Sequence, residues 1–169
     1  MIVRILEHNA LDILSLGLLT AILGRLIVKG DVDEIPVDPL ALARIAEQKK
    51  DWPAACRQYR MFLERGVSPA LERQLLPKLA RLYQRSGDHV SAVWAWEELL
   101  VRTRGLALGA YEELARLSER RLGDREAARR WCLSGLEVFN RGFASLGGRV
   151  ARLGERLRRR LRRLDRTAC

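Results

Sequence analysis

Arginine carries the strongest chemical signal in this chain. Between Arg149 and Arg166, nine arginines meet only Glu155 and Asp165, a net +7 of the +10 carried by all 169 residues. Each phosphate that an arginine neutralises adds salt-dependent affinity for nucleic acid, which makes Arg149, Arg152, Arg156, Arg159, Arg160 and Arg163 candidate phosphate contacts. The same segment also reads as a capping helix, its stripe of Val150, Leu153, Leu157, Leu161 and Leu164 packed inward and its arginines solvated, or as a binder of anionic membrane surfaces. Other reactive types are sparse. His8 and Asp12 stand four apart and so share a helical face. His89 lies in a different module, just after a turn, and reads as a solvated first-turn residue. No Ser/His/Asp or Cys/His arrangement is present, and Gly147-Gly148 is a chain break rather than a phosphate loop. Cys56, Cys132 and Cys169 are odd in number and lack metal-ligand spacing, so the first two read as core thiols in a reducing cytoplasm. Of the tryptophans, Trp96 and Trp131 read as core. Trp94 cannot share a face with Trp96 and is the candidate protein-binding residue, with a peptide in a concave groove as the implied ligand.

These side chains must be positioned by a repeat. Ala43…Lys50-Asp51…Ala55, Ala80…Gly87-Asp88…Ala92 and Ala115…Gly123-Asp124…Ala128 are three copies of one unit, their aspartates 37 and then 36 positions apart. A fixed period of this size, one helical hairpin per unit, marks a stacked helical array. Small residues four after each Asp let the second helix approach the first. Tyr59, Trp96 and Cys132, eight after it, fill the space between hairpins, and Leu42-Ala43, Leu79-Ala80 and Leu114-Ala115 face them. The third pair is one residue out of step because its turn is longer. Pro39, Pro53 and Pro69 sit where helices begin, and Ser68-Pro69 with Glu72 near the capping-box position starts another. Gly66, Gly87 and Gly105 are stops, Pro77 is a kink within its helix, and the last helix covers about Val150 to Leu164.

The N-terminal part differs. Residues 1–6 read as an extended lead-in, and a helix from Asn9 to about Val28 is apolar on nearly every side, which marks burial on several faces. Ser15, Thr20 and Arg25 interrupt it, and its apolar run is shorter than the roughly 20 residues a membrane span needs. Self-association through this helix follows if its surface stays uncovered.

Glu7-His8-Asn9-Ala10-Leu11-Asp12-Ile13-Leu14-Ser15-Leu16 resembles the end of a YprB-like, ribonuclease-H-like bacterial exonuclease domain. Tyr111-Glu112-Glu113-Leu114-Ala115, Glu119 to Asp124 and the closing Leu-Arg run from Leu153 resemble the tetratricopeptide-like region that follows it in that family. The resemblance implies that Asp12 is the vestige of a last metal-binding carboxylate, with His8 as its general base. A two-metal centre needs about four carboxylates, and only Asp12 matches. The expectation is therefore the tail of a longer enzyme, non-catalytic and cofactor-free in isolation, with a divalent metal only in a full-length parent. The expected fold is all-α: a remnant of the ribonuclease-H-like domain over 1–30, three tetratricopeptide-like hairpins in a right-handed solenoid over 38–142, and a basic capping helix and tail over 147–169. Its expected partners are a protein or peptide, or nucleic acid along the basic helix.

Overall fold

The structure, a computed structural model, describes residues 12–21, 38–143 and 145–166. Every regular element among them is a helix. The chain divides into two units, Met1–Val37 and Asp38–Cys169. In the first, α1 (12–21) is helical and exposes Ile13, Leu14, Leu16, Leu18 and Leu19. The extended lead-in at 1–6 and the ends of the apolar helix lie outside the described residues. No helix among the described residues is long and apolar enough to cross a membrane.

The second unit holds α2 (Pro39–Gln48), α3 (Trp52–Glu64), α4 (Pro69–Ser86), α5 (His89–Arg102), α6 (Leu108–Arg120), α7 (Arg125–Gly142) and α8 (Gly148–Arg166). Their starts follow from the sequence. The side chains of Asp38 and Ser68 cap α2 and α4, each with proline in the first turn. The three repeated aspartates cap α3, α5 and α7: Asp51, Asp88 and Asp124 accept from the backbone N–H groups of Ala54, Ser91 and Ala127 at 3.1, 3.0 and 2.8 Å. Such a bond satisfies one of the donors that a helix start leaves unpaired, worth about 1 kcal/mol. All three aspartates share nearly one backbone conformation, with φ between −81 and −86° and ψ between 80 and 89°. Glu72 does not close a capping box. It stands one residue past the N3 position, and its carboxylate reaches across to Arg102 on α5 at 3.2 Å. Pro77 lies inside α4 without ending it.

The helices pair as α2 with α3, α4 with α5 and α6 with α7, and each pair rests on the next through α3–α4 and α5–α6. The repeated small residues make this possible. Ala43, Ala55, Ala80, Ala92, Ala115 and Ala128 are all completely buried. The larger residues eight after each aspartate, Tyr59, Trp96 and Cys132, are buried too. Of the leucines beside the first-helix alanines, Leu79 and Leu114 are fully buried, whereas Leu42 is exposed. Leu42 belongs to the first hairpin of its unit, while the other two lie between hairpins.

The last helix is an integral part of this unit, packed on α7 and α6. Leu157 and Leu164 are buried, and Val150, Leu153 and Leu161 pack beside them. Close approach is enforced by glycine: a Cβ on Gly135 of α7 would stand 2.8 Å from Tyr111 Cβ and 2.9 Å from Leu157 Cδ1. Across the first hairpins, the buried Tyr59 hydroxyl donates to Glu47 and accepts from Lys78 at 2.5 Å, while Lys78 and Glu47 pair at 2.7 Å. One polar knot thereby ties α2, α3 and α4 together.

Two stability changes follow. The residue before each repeated aspartate is left-handed: Gly87 (φ 84°), Gly123 (φ 69°) and, against type, Lys50 (φ 58°). A side chain there costs about 1 kcal/mol, partly offset by the greater freedom of glycine in the unfolded chain. Lys50→Gly should therefore stabilise the protein by about 0.5 kcal/mol in urea unfolding. Gly135→Ala should destabilise it by about 1–2 kcal/mol by the same measurement, because Tyr111 Cβ is fixed to its own backbone and cannot give way.

Candidate functional site

The arginines of α8 divide into two sets. Arg160 is turned inward, its side chain only 10 % exposed, and pairs with Glu119 and, at 3.8 Å, with Glu112, both on α6. Arg163 Nη2 donates to the two oxygens of Glu119 at 2.5 and 2.6 Å. From α7, Arg129 pairs with Asp165 at 2.9 Å and Arg125 donates to the Leu164 carbonyl at 3.0 Å. Arg158 lies over the Phe139 ring, 5.1 Å from its centroid, and Arg159 pairs with Glu155 within the helix at 3.1 Å. Of the six arginines expected to contact phosphates, then, Arg160 and Arg163 serve to fasten α8 to α6. Their partners lie some 40 residues upstream in sequence, beyond the reach of any local pattern.

The second set is free. Arg149, Arg152 and Arg156 are exposed and have no carboxylate partner among the described residues. Their spacing of three and then four places them on one face of α8. Arg149 and Arg156 reach a cleft of about 310 Å³ walled by Pro77 and Arg81 of α4, Trp96 of α5, and Glu112 and Glu113 of α6. That cleft shares Arg81 and Glu113 with a second one, of about 330 Å³, bounded by Gln84 and Arg85 of α4, His89 of α5, and Arg116, Leu117 and Arg121 at the end of α6. Arginines with no acidic partner thus continue from α8 across α4 to α6.

Several other candidates are placed differently from expectation. His89 is half-buried rather than solvated, and its Nδ1 is buried without a hydrogen-bond partner. Trp131 is half-buried rather than core: it sits between the two groups of buried apolar residues and leans on Tyr111. Trp96 is buried, and its indole Nε1 has no partner. Trp94 is 40 % exposed, as expected, with the Arg60 guanidinium 5.2 Å from its ring centroid. It lines a groove of about 170 Å³ with Leu63, Leu76, Glu98 and Arg102. The Cys56 and Cys132 thiols are buried and unlinked, and burial pushes each up to about 11, which suppresses the reactive thiolate. His8 lies outside the described residues, and Asp12 is exposed at the start of α1. No group of three metal-ligating side chains occurs among the described residues.

No protein-family model matches the chain, and no curated protein is similar to it.

Burial alone would raise the Glu119 carboxyl, but hydrogen bonds from Arg163 and Arg160 hold it below the usual carboxylate range. The stability this supplies is present above the unfolded carboxyl value of about 4.3 and is lost as pH falls through the lowered folded value. Glu119→Gln leaves the buried Arg160 with only the longer contact to Glu112 and should cost about 3 kcal/mol at neutral pH. In urea unfolding followed from pH 7 to pH 3, the variant should also lose less stability than the parent.

Proposed function

We propose that this chain is a non-catalytic interaction module of tetratricopeptide-like, right-handed build, and that the face shared by α4, α6 and α8 holds the phosphate backbone of a nucleic-acid strand. The observation that carries this reading is the run of arginines without a carboxylate partner among the described residues: Arg149 and Arg156 in one cleft, Arg152 exposed beside them on α8, and Arg81 in the wall shared with the next cleft. The identical placement of three Asp-capped, alanine-packed hairpins supports the repeat assignment. In a longer parent resembling a ribonuclease-H-like exonuclease, such a face would present the strand to the nuclease domain, which alone would carry a divalent metal. The inert, unlinked thiols Cys56 and Cys132 suit a reducing cytoplasm.

A second reading has its own observation. The Trp94 groove is largely apolar and rimmed by Arg60, Glu98 and Arg102, the features of a seat for a peptide side chain. It would make the chain a freestanding adaptor.

Fluorescence anisotropy with a single-stranded oligonucleotide across a salt series separates the two. Replacing Arg149, Arg152 and Arg156 with Gln should flatten the slope of log affinity against log salt by about 2, at roughly 0.7 per lost phosphate contact. Trp94→Ala should leave that slope alone. Affinity indifferent to salt and to the three arginines would discard the strand reading.

A further inference from the structure

The cleft at the end of α6 differs from the one reached by the α8 arginines in its balance of charge. It gathers four arginines against one carboxylate, where the α8 cleft sets three against two. That carboxylate is already engaged: Arg116 donates to Glu113 through both Nε and Nη2, at 3.1 and 2.5 Å. Arg81, Arg85 and Arg121 therefore have no anion among the described residues.

Two of these guanidinium groups lie over aromatic rings. Arg81 lies over the ring of Trp96 at 5.8 Å and Arg85 over the ring of Trp52 at 5.2 Å. A cation–π contact of this kind restrains the guanidinium without using up its N–H donors, which remain for the oxygens of a phosphate.

A buried donor at the same place lacks an acceptor. The Gln84 amide oxygen accepts from Arg116 Nη2 at 2.7 Å, which fixes the amide so that Nε2 is the end left over. That Nε2 is buried and has no partner, and neither has His89 Nδ1 beside it. An unmet buried polar atom costs about 1–3 kcal/mol, and folded proteins leave few of them. Both residues line the cleft, with these two atoms turned into its wall.

We propose that this cleft seats a terminal phosphate monoester, the phosphorylated end of a strand whose internal phosphates lie along the α8 arginines. The inference rests on the strand-binding reading above and specifies the end of that ligand. A monoester carries close to two negative charges near neutral pH, against one on each internal diester. A cleft holding Arg81, Arg85 and Arg121 beside a single, already paired carboxylate therefore favours the end, whereas the α8 cleft, walled by Glu112 and Glu113, does not.

The experiment is anisotropy competition among three oligonucleotides of one sequence, bearing a 5′-phosphate, a 3′-phosphate, or hydroxyls at both ends. One phosphorylated form should compete about tenfold better than the hydroxyl form, and which one does so identifies the polarity. Arg85→Gln with Arg121→Gln should abolish that preference, bringing both phosphorylated forms to the affinity that the same variant shows for the hydroxyl form. Both arginines are exposed, so the double variant should keep the parent's unfolding midpoint, which shows that the fold is intact. Equal competition by all three oligonucleotides overturns the end-binding proposal and leaves strand binding standing. Absence of binding to any of them overturns both. A phosphoserine peptide that competes better than the phosphorylated strands, and loses this with the double variant, assigns the cleft to a phosphoprotein and also overturns the proposal.

Discussion

The closeness of paired helices is the constraint on which the second unit depends. Six alanines at equivalent places in three hairpins have no exposed surface at all. A larger side chain at any of them would push two backbones apart and, through the next interface, displace the following hairpin. The aspartate caps act with them. Each cap sets where the second helix begins, and the start of a helix decides which of its residues meets the partner. Register and spacing are thus determined together by residues no more than nine positions from each repeated aspartate.

Charge is managed with the same economy of position. The last helix packs by an apolar stripe, and Arg160 and Arg163 reinforce that stripe by converging on Glu119. Buried pairs of this kind contribute through what happens when one partner is absent, since the survivor is left charged in poor solvent. The neighbouring arginines have no such duty. One helix therefore both closes the hydrophobic interior and presents a cationic face outward.

What could be read from the sequence was local. Proline and Ser or Asp starts, glycine stops, the period of the aspartates and the small residues four beyond them all act within a turn or two of the chain, and the helices lie close to where those signals put them. Interactions between distant segments were not legible. Nothing near Arg160 announces Glu119, and nothing near His89 announces Gln84 or Arg116. Trp131 sits at a repeat position that suggests full burial, but it falls at the boundary between two apolar groups and keeps an exposed edge. The groove of Trp94 could be anticipated because the angle between Trp94 and Trp96 follows from helical geometry alone.

Because each helix of the second unit rests mainly on its neighbours in the chain, contact order is low and folding can keep pace with synthesis. Each hairpin finds its partners as it emerges, but the contacts to α8 come later. The Glu119 carboxylate has to wait some forty residues for Arg160, so the growing chain carries a solvated acid on α6 until the ribosome has released almost all of α8. Arrival of α8 is the step that withdraws Glu119 from water, so closure of this face follows the synthesis of all three hairpins.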